Sequence, residues 1–178
     1  MADKLTSEQR HRCMAAIKGK NTRPEIIVRK FLFANGLRFR IHDRRLPGTP
    51  DIVLPKYQTA IFINGCFWHG HEGCQFSHLP STNSTFWQRK IDLNKARDMR
   101  VAVELRLRGW RVIRLWECGL KNKETSEATL QTLLRTIHTP PSSAPAISTT
   151  PGYTTPLTPP ATAAEPPAPY GPHPSPDA

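Results

Sequence analysis

The 178-residue sequence lacks any long apolar run and has few acidic residues for its size. No stretch approaches the roughly 18 apolar residues of a membrane helix, and the polar start of the chain lacks the apolar core of a signal peptide. We therefore expect a cytoplasmic protein. In that reducing compartment, four cysteines favour free thiols or metal ligands over disulfides.

The last forty residues lack Lys, Arg, Phe, Trp and Cys, and they contain 13 of the 18 prolines. This composition is typical of disorder, so we expect one folded domain at 1–138 and a disordered Pro/Ser/Thr/Ala-rich tail at 139–178. The folded part holds all 25 basic residues against 12 acidic ones, a formal charge of +13. Such a charge favours a phosphate-rich partner such as nucleic acid, although a solvated basic face is an alternative.

Local patterns predict an α/β fold. Capping boxes at Thr6 and Thr22 indicate two N-terminal helices, and Thr125 is the expected cap of the last helix. Between them we expect strands at 39–42, 51–54, 59–63 and 110–116, with a long helix at 86–108 before the last strand. This order predicts a three-stranded meander, joined by a later strand and flanked by helices in a small sandwich.

A candidate metal site is formed by Cys66, His71, Cys74 and Cys118. Three cysteines and one histidine make a closed tetrahedral shell for structural zinc. The loop that holds three of them has too little apolar content to fold by itself, and a bound metal would explain its order. Ordinary thiols are the alternative, and His69 or His78 could replace His71.

Asp51 begins an apolar strand, where a carboxylate is costly unless it is paired or bound to a metal. Phosphodiester hydrolysis uses such a group, because Mg²⁺ prefers oxygen ligands and polarises the phosphate. Glu25 is a candidate second acid, although the capping box already explains it. Asp51 could likewise only cap a turn.

A histidine held by a carboxylate is a competent general base, and His69 with Asp98 is the candidate pair. Ion pairing of Asp98 with Arg97 or Arg100 is the simpler alternative. These residues alone leave a DNA-binding protein and a nuclease equally open.

Two aromatic pairs, Phe67-Trp68 and Phe86-Trp87, stand in polar surroundings. Exposed rings of this kind can act as a wedge between base pairs. We expect Phe86 to pack in the core, whereas the other three rings could be wedge or core. Three polar residues at helical spacing behind them suit contacts with a groove or phosphates: Lys90, Asn94 and Arg97.

Five sequence blocks carry a family resemblance: PGTPD at 47–51, INGCFWHGH at 63–71, FWQRKIDLN at 86–94, RD at 97–98, and GWRV with WEC between 109 and 118. Together they resemble the very short patch repair (Vsr) DNA mismatch endonucleases, over about residues 5–138. The resemblance implies a fold of the restriction-endonuclease type. It also implies that the enzyme nicks 5′ of the T in a T:G mismatch, the product of 5-methylcytosine deamination.

The resemblance further implies roles for individual residues. Asp51 and the carbonyl of Ile63 would bind Mg²⁺, and His69 would be the base, oriented by Asp98 and supported by Glu25. Structural zinc would bind to the three cysteines and the histidine of the candidate metal site. DNA contacts would come from Phe67, Trp68 and Trp87 as the wedge, from Met14 and Ile17 on the N-terminal helix, and from Lys90 and Asn94 at the mismatched pair.

The implied partners are double-stranded DNA with a T:G mismatch and proteins of mismatch repair. We expect a monomeric, bacterial-type protein that works at the nucleoid. Two alternatives stay open: a zinc-stabilised DNA-binding protein without catalysis, and a restriction-like endonuclease whose target is not a mismatch.

Two positions depart from the family pattern. Asn64 stands where better-known members have a histidine, and an amide can hydrogen-bond a water but cannot take its proton. Asn64 is therefore a candidate catalytic residue of altered chemistry. Gly73 is an extra residue in the metal loop, and a glycine there is easily accommodated.

Overall fold

The computed structural model describes residues 19–139 together with residues 6, 8, 9, 12 and 16. The predicted order of elements is confirmed over 19–139, although most bounds differ by one or two residues. The elements are α1 (Arg23–Ala34), β1 (Arg40–Ile41), β2 (Ile52–Leu54), β3 (Thr59–Asn64), α2 (Ser84–Leu107), β4 (Arg111–Trp116) and α3 (Lys123–His138). Short 3₁₀ turns span Pro55–Tyr57 and Glu117–Leu120.

The four strands form one mixed sheet in the order β1-β2-β3-β4. The first three strands pair antiparallel, and β4 pairs parallel to β3. Because Ile52 pairs with Ile41 on one side and Ile61 on the other, Asp51 lies between the end of β1 and the last residues of β3. The predicted meander with an added strand is confirmed, and its register puts candidate residues from three strands at one end of the sheet.

One face of the sheet is covered by α1 and α3. Val28 and Leu32 of α1 are fully buried, and Leu133 and Ile137 of α3 are almost so. They form one apolar cluster with side chains from three strands, namely Ile52, Leu54, Ile61 and Leu115. The i, i+3, i+4, i+7 spacing of Leu130, Leu133, Leu134 and Ile137 therefore marks the core-facing stripe of α3.

Helix α2 contacts β4 and brings its own buried stripe. Its core residues are Ile91, Ala102 and Leu105. Val53 of β2 pairs with Ala60 of β3, and both are buried. Neither belongs to the apolar cluster under α1 and α3. Since neighbouring strand residues point to opposite faces, the sheet is buried on both sides, as expected of a small α/β sandwich.

The N-terminal cap of the first predicted helix is as expected, whereas that of the last helix is a different residue. Thr6 and Gln9 exchange two hydrogen bonds, 2.9 and 3.2 Å long, so the predicted capping box is present, although most of that helix lies outside the described residues. Thr125 is not the cap of α3. Asn122 takes the extended N-cap conformation, so the helix begins at Lys123, and the Thr125 hydroxyl binds Asn122.

None of the helices in the described part of the chain is long and apolar enough to cross a membrane. Residues 140–178, which make up nearly all of the predicted tail, lie outside the described residues.

Candidate functional site

Asp51 lies at the entrance to β2, at the edge of a cleft. Its Oδ2 accepts a hydrogen bond of 2.7 Å from the backbone N–H of Ile63, which ties it to β3. Burial raises the pKa of Asp51; the Ile63 hydrogen bond lowers it, the Glu25 charge raises it further, and His42 and Arg29 lower it, with a net increase. A carboxylate whose charge the protein leaves undercompensated is suited to a cation.

Glu25 is buried next to Asp51, with 3% of its surface exposed. Its carboxylate accepts hydrogen bonds from the N–H groups of Asn21 and Thr22 and from the Thr22 hydroxyl, and it is paired with Arg29. The expected capping role and the expected nearness to Asp51 are therefore both present. With so many donors around it, Glu25 is held in one position.

His42 and Arg29 complete this corner of the cleft, although neither is among the site residues predicted from the sequence. The Nε2 atom of His42 lies 3.3 Å from Glu25 Oε2, and its Nδ1 lies 3.8 Å from Asp51 Oδ1. Arg29 Nη2 lies 2.9 Å from His42 Nε2. The signal was available, because His42 follows a strand that pairs antiparallel with the strand after Asp51.

His69 and Asp98 are in contact, although an ion pair between Asp98 and an arginine is the simpler prediction from the sequence. His69 Nδ1 lies 2.5 Å from Asp98 Oδ2, while Arg97 approaches the other oxygen at 3.6 Å. Both side chains are about one fifth exposed and line the same cleft as Asp51. The arrangement can accept a proton at the other ring nitrogen of His69 and stabilise the resulting charge.

Asn64 is the last residue of β3 and is 5% exposed. It pairs with Trp116 in the parallel register, and it lines the cleft together with Asp51 and His69. A neutral amide therefore occupies this position in the cleft, where it can hydrogen-bond water without changing charge.

Cys66, His71, Cys74 and Cys118 form a second cluster, beyond the cleft. One ligand atom from each lies within 4.8 Å of all the others, and His71 Nδ1 is 3.4 Å from the Cys118 sulfur. The His71 ring is stacked on Trp116, with centroids 4.0 Å apart, which fixes its orientation. Burial raises the pKa of the Cys66 thiol to about 12, so a bound metal is what would hold it as a thiolate.

Three aromatic rings form a cluster, two of them within the metal loop and the third on α2. Phe67, Trp68 and Trp87 have pairwise centroid distances of 5.2 to 5.8 Å, with edge-to-face packing. All three are partly exposed. Phe86 is 51% exposed, so the expectation that it packs in the core was wrong. It lies at the first turn of α2 and touches Trp87 from outside the cluster.

Of the four remaining candidates for DNA contacts, two are among the described residues. Lys90 is exposed on α2. The Asn94 amide donates a 2.8 Å hydrogen bond to the carbonyl of Trp68, so it braces the loop that carries the aromatic cluster. Met14 and Ile17 lie outside the described residues.

The sequence is similar to those of several known proteins. The family model described as "DNA mismatch endonuclease Vsr" matches residues 2–75. The type II nicking enzyme V.NmeAIP of Neisseria meningitidis is 47% identical over 137 residues, which cover 77% of this chain and 97% of that protein. The DNA mismatch endonuclease Vsr of Escherichia coli is 41% identical over 135 residues, which cover 75% of this chain and 86% of that protein. The type II nicking enzyme V.XorIIP of Xanthomonas oryzae is 46% identical over 134 residues, which cover 98% of that protein.

Proposed function

Because the chain belongs to the Vsr family of DNA mismatch endonucleases, we propose that it nicks DNA on the 5′ side of the T in a T:G mismatch. Membership makes it a DNA endonuclease, a hydrolase of phosphodiester bonds. The observation that carries the proposed hydrolysis is the pairing of His69 with Asp98 in the same cleft as Asp51. A protein that only bound DNA would not need a partly buried carboxylate and a histidine–carboxylate pair facing one cleft.

The residues around Asp51 fit a magnesium ion. Oδ2 is bound to the Ile63 amide, whereas Oδ1 has His42 at 3.8 Å, beyond hydrogen-bond distance. Asp51 and the Ile63 carbonyl would hold the ion. When bound, Mg²⁺ supplies positive charge that stabilises the phosphate as negative charge develops on it.

In the proposed reaction, His69 removes the proton from the attacking water. Because an ionised Asp98 only accepts hydrogen bonds, it holds the Nδ1 proton and leaves Nε2 free to receive a proton. The water oxygen forms a bond to phosphorus, the bond from phosphorus to the 3′ oxygen breaks, and the 3′ oxygen takes up a proton from solvent. The products are a 5′-phosphate and a 3′-hydroxyl. Asn64 would orient the water by hydrogen bonding.

Mismatch selectivity would come from the aromatic cluster. Phe67, Trp68 and Trp87 support one another by edge-to-face packing, so they can enter a base step as one rigid wedge. Opening a mismatched step costs less than opening a paired one, which favours T:G. The phosphates would be bound by basic side chains that line the cleft, namely Lys20, Arg23, Lys30, Arg97 and Arg114. Lys90 would reach the mismatched pair.

The Cys66–Cys118 cluster would hold structural zinc. Its four ligands match a closed Cys₃His shell, which has no open position for chemistry. Zinc would therefore order the loop that carries Phe67, Trp68 and His69, while the cleft performs the reaction.

The proposal is tested with an end-labelled T:G duplex, with Mg²⁺ and with EDTA. We expect a nick that requires Mg²⁺, and Asp51→Ala should abolish it while DNA binding is retained. Normal nicking by Asp51→Ala would show that the ion is bound elsewhere. Binding of the duplex by the wild-type protein with no nick would favour a DNA-binding protein without catalysis.

A further inference from the structure

His42 has a backbone conformation that is unusual for a residue with a side chain. Its φ is +47°, in the left-handed region that non-glycine residues rarely adopt. Its N–H still reaches the carbonyl of Asp51, at 3.4 Å, just beyond the end of the β1–β2 pairing. This conformation places the imidazole between two carboxylates, those of Glu25 and Asp51.

The surroundings of the ring favour a cation. Glu25, His42 and Asp51 each offer one ligand atom, and these atoms lie within 4.8 Å of one another. Glu25 and Asp51 bring two negative charges, whereas the contacting guanidinium of Arg29 brings one positive charge. Arg29 is paired with Glu25, so the charge of Asp51 is the one left to attract a cation.

We propose that His42 is a nitrogen ligand for the divalent cation at Asp51. The inference rests on the proposed function, which places a cation there, and it adds a ligand of different chemistry. His42 Nδ1 joins Asp51 Oδ1 on the ion. Glu25 accepts a hydrogen bond from the other ring nitrogen of His42, since a metal-bound histidine generally donates its second ring N–H to a carboxylate or carbonyl.

Because of the hydrogen bonds around the His42 ring, binding of a cation requires the ring to change from one neutral tautomer to the other. Arg29 can only donate, so its contact of 2.9 Å requires His42 Nε2 to be an acceptor, with the proton on Nδ1. Binding of a cation at Nδ1 releases that proton to solvent. Nε2 then takes up a proton from solvent and hydrogen-bonds with it to Glu25 Oε2, 3.3 Å away, so the number of protons on the ring is unchanged. Arg29, which can only donate, must then leave Nε2 and keep its pairing with Glu25.

An imidazole ligand changes which ions the site prefers. Mg²⁺ is a hard ion that prefers oxygen, whereas first-row transition ions accept nitrogen readily. His42 should therefore strengthen binding of Mn²⁺ much more than binding of Mg²⁺. Mn²⁺ also reports its ligands directly, because a bound ¹⁴N modulates its electron spin echo.

The experiment uses the full chain loaded with zinc and no DNA, and it compares the wild-type protein with His42→Gln. We expect ¹⁴N modulation from Mn²⁺ in the wild-type protein and its loss in His42→Gln. Mn²⁺ affinity should fall at least about tenfold, with Mg²⁺ affinity changed less than about twofold. His138→Gln, a change of an exposed histidine at the end of α3, should behave like the wild-type protein. Circular dichroism and zinc content check that each variant is folded.

Other results would overturn the inference. Absence of Mn²⁺ binding, unchanged ¹⁴N modulation in His42→Gln, or equal losses for Mn²⁺ and Mg²⁺ would each exclude His42 as a ligand. Asp51→Ala separates this failure from that of the proposed function. If Asp51→Ala keeps full Mn²⁺ affinity, the cation site itself is misplaced; if it loses Mn²⁺ while His42→Gln does not, only the role of His42 is wrong.

Discussion

The Nδ1 atom of His69 lies 2.5 Å from the Oδ2 atom of Asp98, although the two residues are 29 positions apart. Burial raises the pKa of Asp98, but the hydrogen bond and charge of His69, with Arg97 and Arg114, lower it by more. Asp98 is therefore ionised at neutral pH. It can orient His69 and stabilise the imidazolium that forms when His69 takes a proton.

Replacing Asp98 with Asn should slow nicking without weakening DNA binding. An amide keeps the shape but loses the charge that stabilises imidazolium, so we expect the single-turnover rate to fall about 10- to 100-fold. Asp92→Asn, on the exposed side of the same helix, should leave the rate unchanged. An unchanged rate in Asp98→Asn, with the wild-type pH profile, would remove His69 as the base.

Much of this fold could be predicted because the local signals agree with the tertiary structure. The β3 run from Thr59 is nearly all apolar and is buried, and the α3 stripe faces the core. The cap of α3 was misjudged because Asn122 and Thr125 are both good capping residues, and only the extended backbone at Asn122 decides between them.

The site was harder to predict than the fold. The distance from His69 to Asp98 depends on how the metal loop lies against α2, which no local pattern specifies. The pairing of the first two predicted strands could have placed His42 near Asp51, but the left-handed backbone that sets its ring between Asp51 and Glu25 is not revealed by periodicity. Phe86 was misplaced because an aromatic residue at a first helical turn can face either way, and here it faces solvent.

Asp51→Asn should make the metal-free protein more stable while it abolishes nicking. Burial and the Glu25 charge raise the pKa of Asp51, so its ionised form destabilises the fold at neutral pH. An amide can still accept from Ile63 without that charge. We expect the Tm at pH 7 to rise by roughly 3–5 °C, equivalent to about 1 kcal/mol for a domain of this size.

The sign of this change in Tm can be checked by measuring Tm of Asp51→Asn and the wild-type protein over a range of pH. Because the folded-state pKa of Asp51 is raised, the wild-type carboxyl is protonated in both states below about pH 4, and the difference in Tm should vanish there. A difference that grows as the pH is lowered would contradict this explanation.

Gly70 lies between His69 and His71 and packs against α2. Its φ is +58°, and an added Cβ would lie 2.5 Å from Lys95 Cε and 2.6 Å from Ile91 Cγ2. Gly73 has a φ of +67° but nothing within 4 Å. Gly73→Ala should therefore lose only the roughly 1–2 kcal/mol of a left-handed backbone.

Gly70→Ala should lose a further 1–3 kcal/mol, about the magnitude for an overpacked site, and should also slow nicking by displacing His69. Chemical denaturation and the nicking assay measure both effects. Equal losses in the two variants would mean that the loop is not held against α2 by close packing.

Removing zinc should destabilise the protein as a whole. We expect about one equivalent of zinc per chain by mass spectrometry, and its loss in Cys118→Ser. If the free zinc is 1,000-fold above its Kd, removal costs about 4 kcal/mol of unfolding free energy, visible as a lower Tm after chelation. Cys13→Ser, which changes a cysteine outside the proposed ligand set, should keep its zinc. Full zinc content in Cys118→Ser would show that the ligand set is wrong.

The most direct measurement compares nicking of two end-labelled duplexes that differ only in one T:G or T:A pair, with Mg²⁺ present. The account predicts a single nick 5′ of the mismatched T in the first duplex and none in the second. Equal nicking of both duplexes would contradict it and indicate an endonuclease that recognises paired DNA.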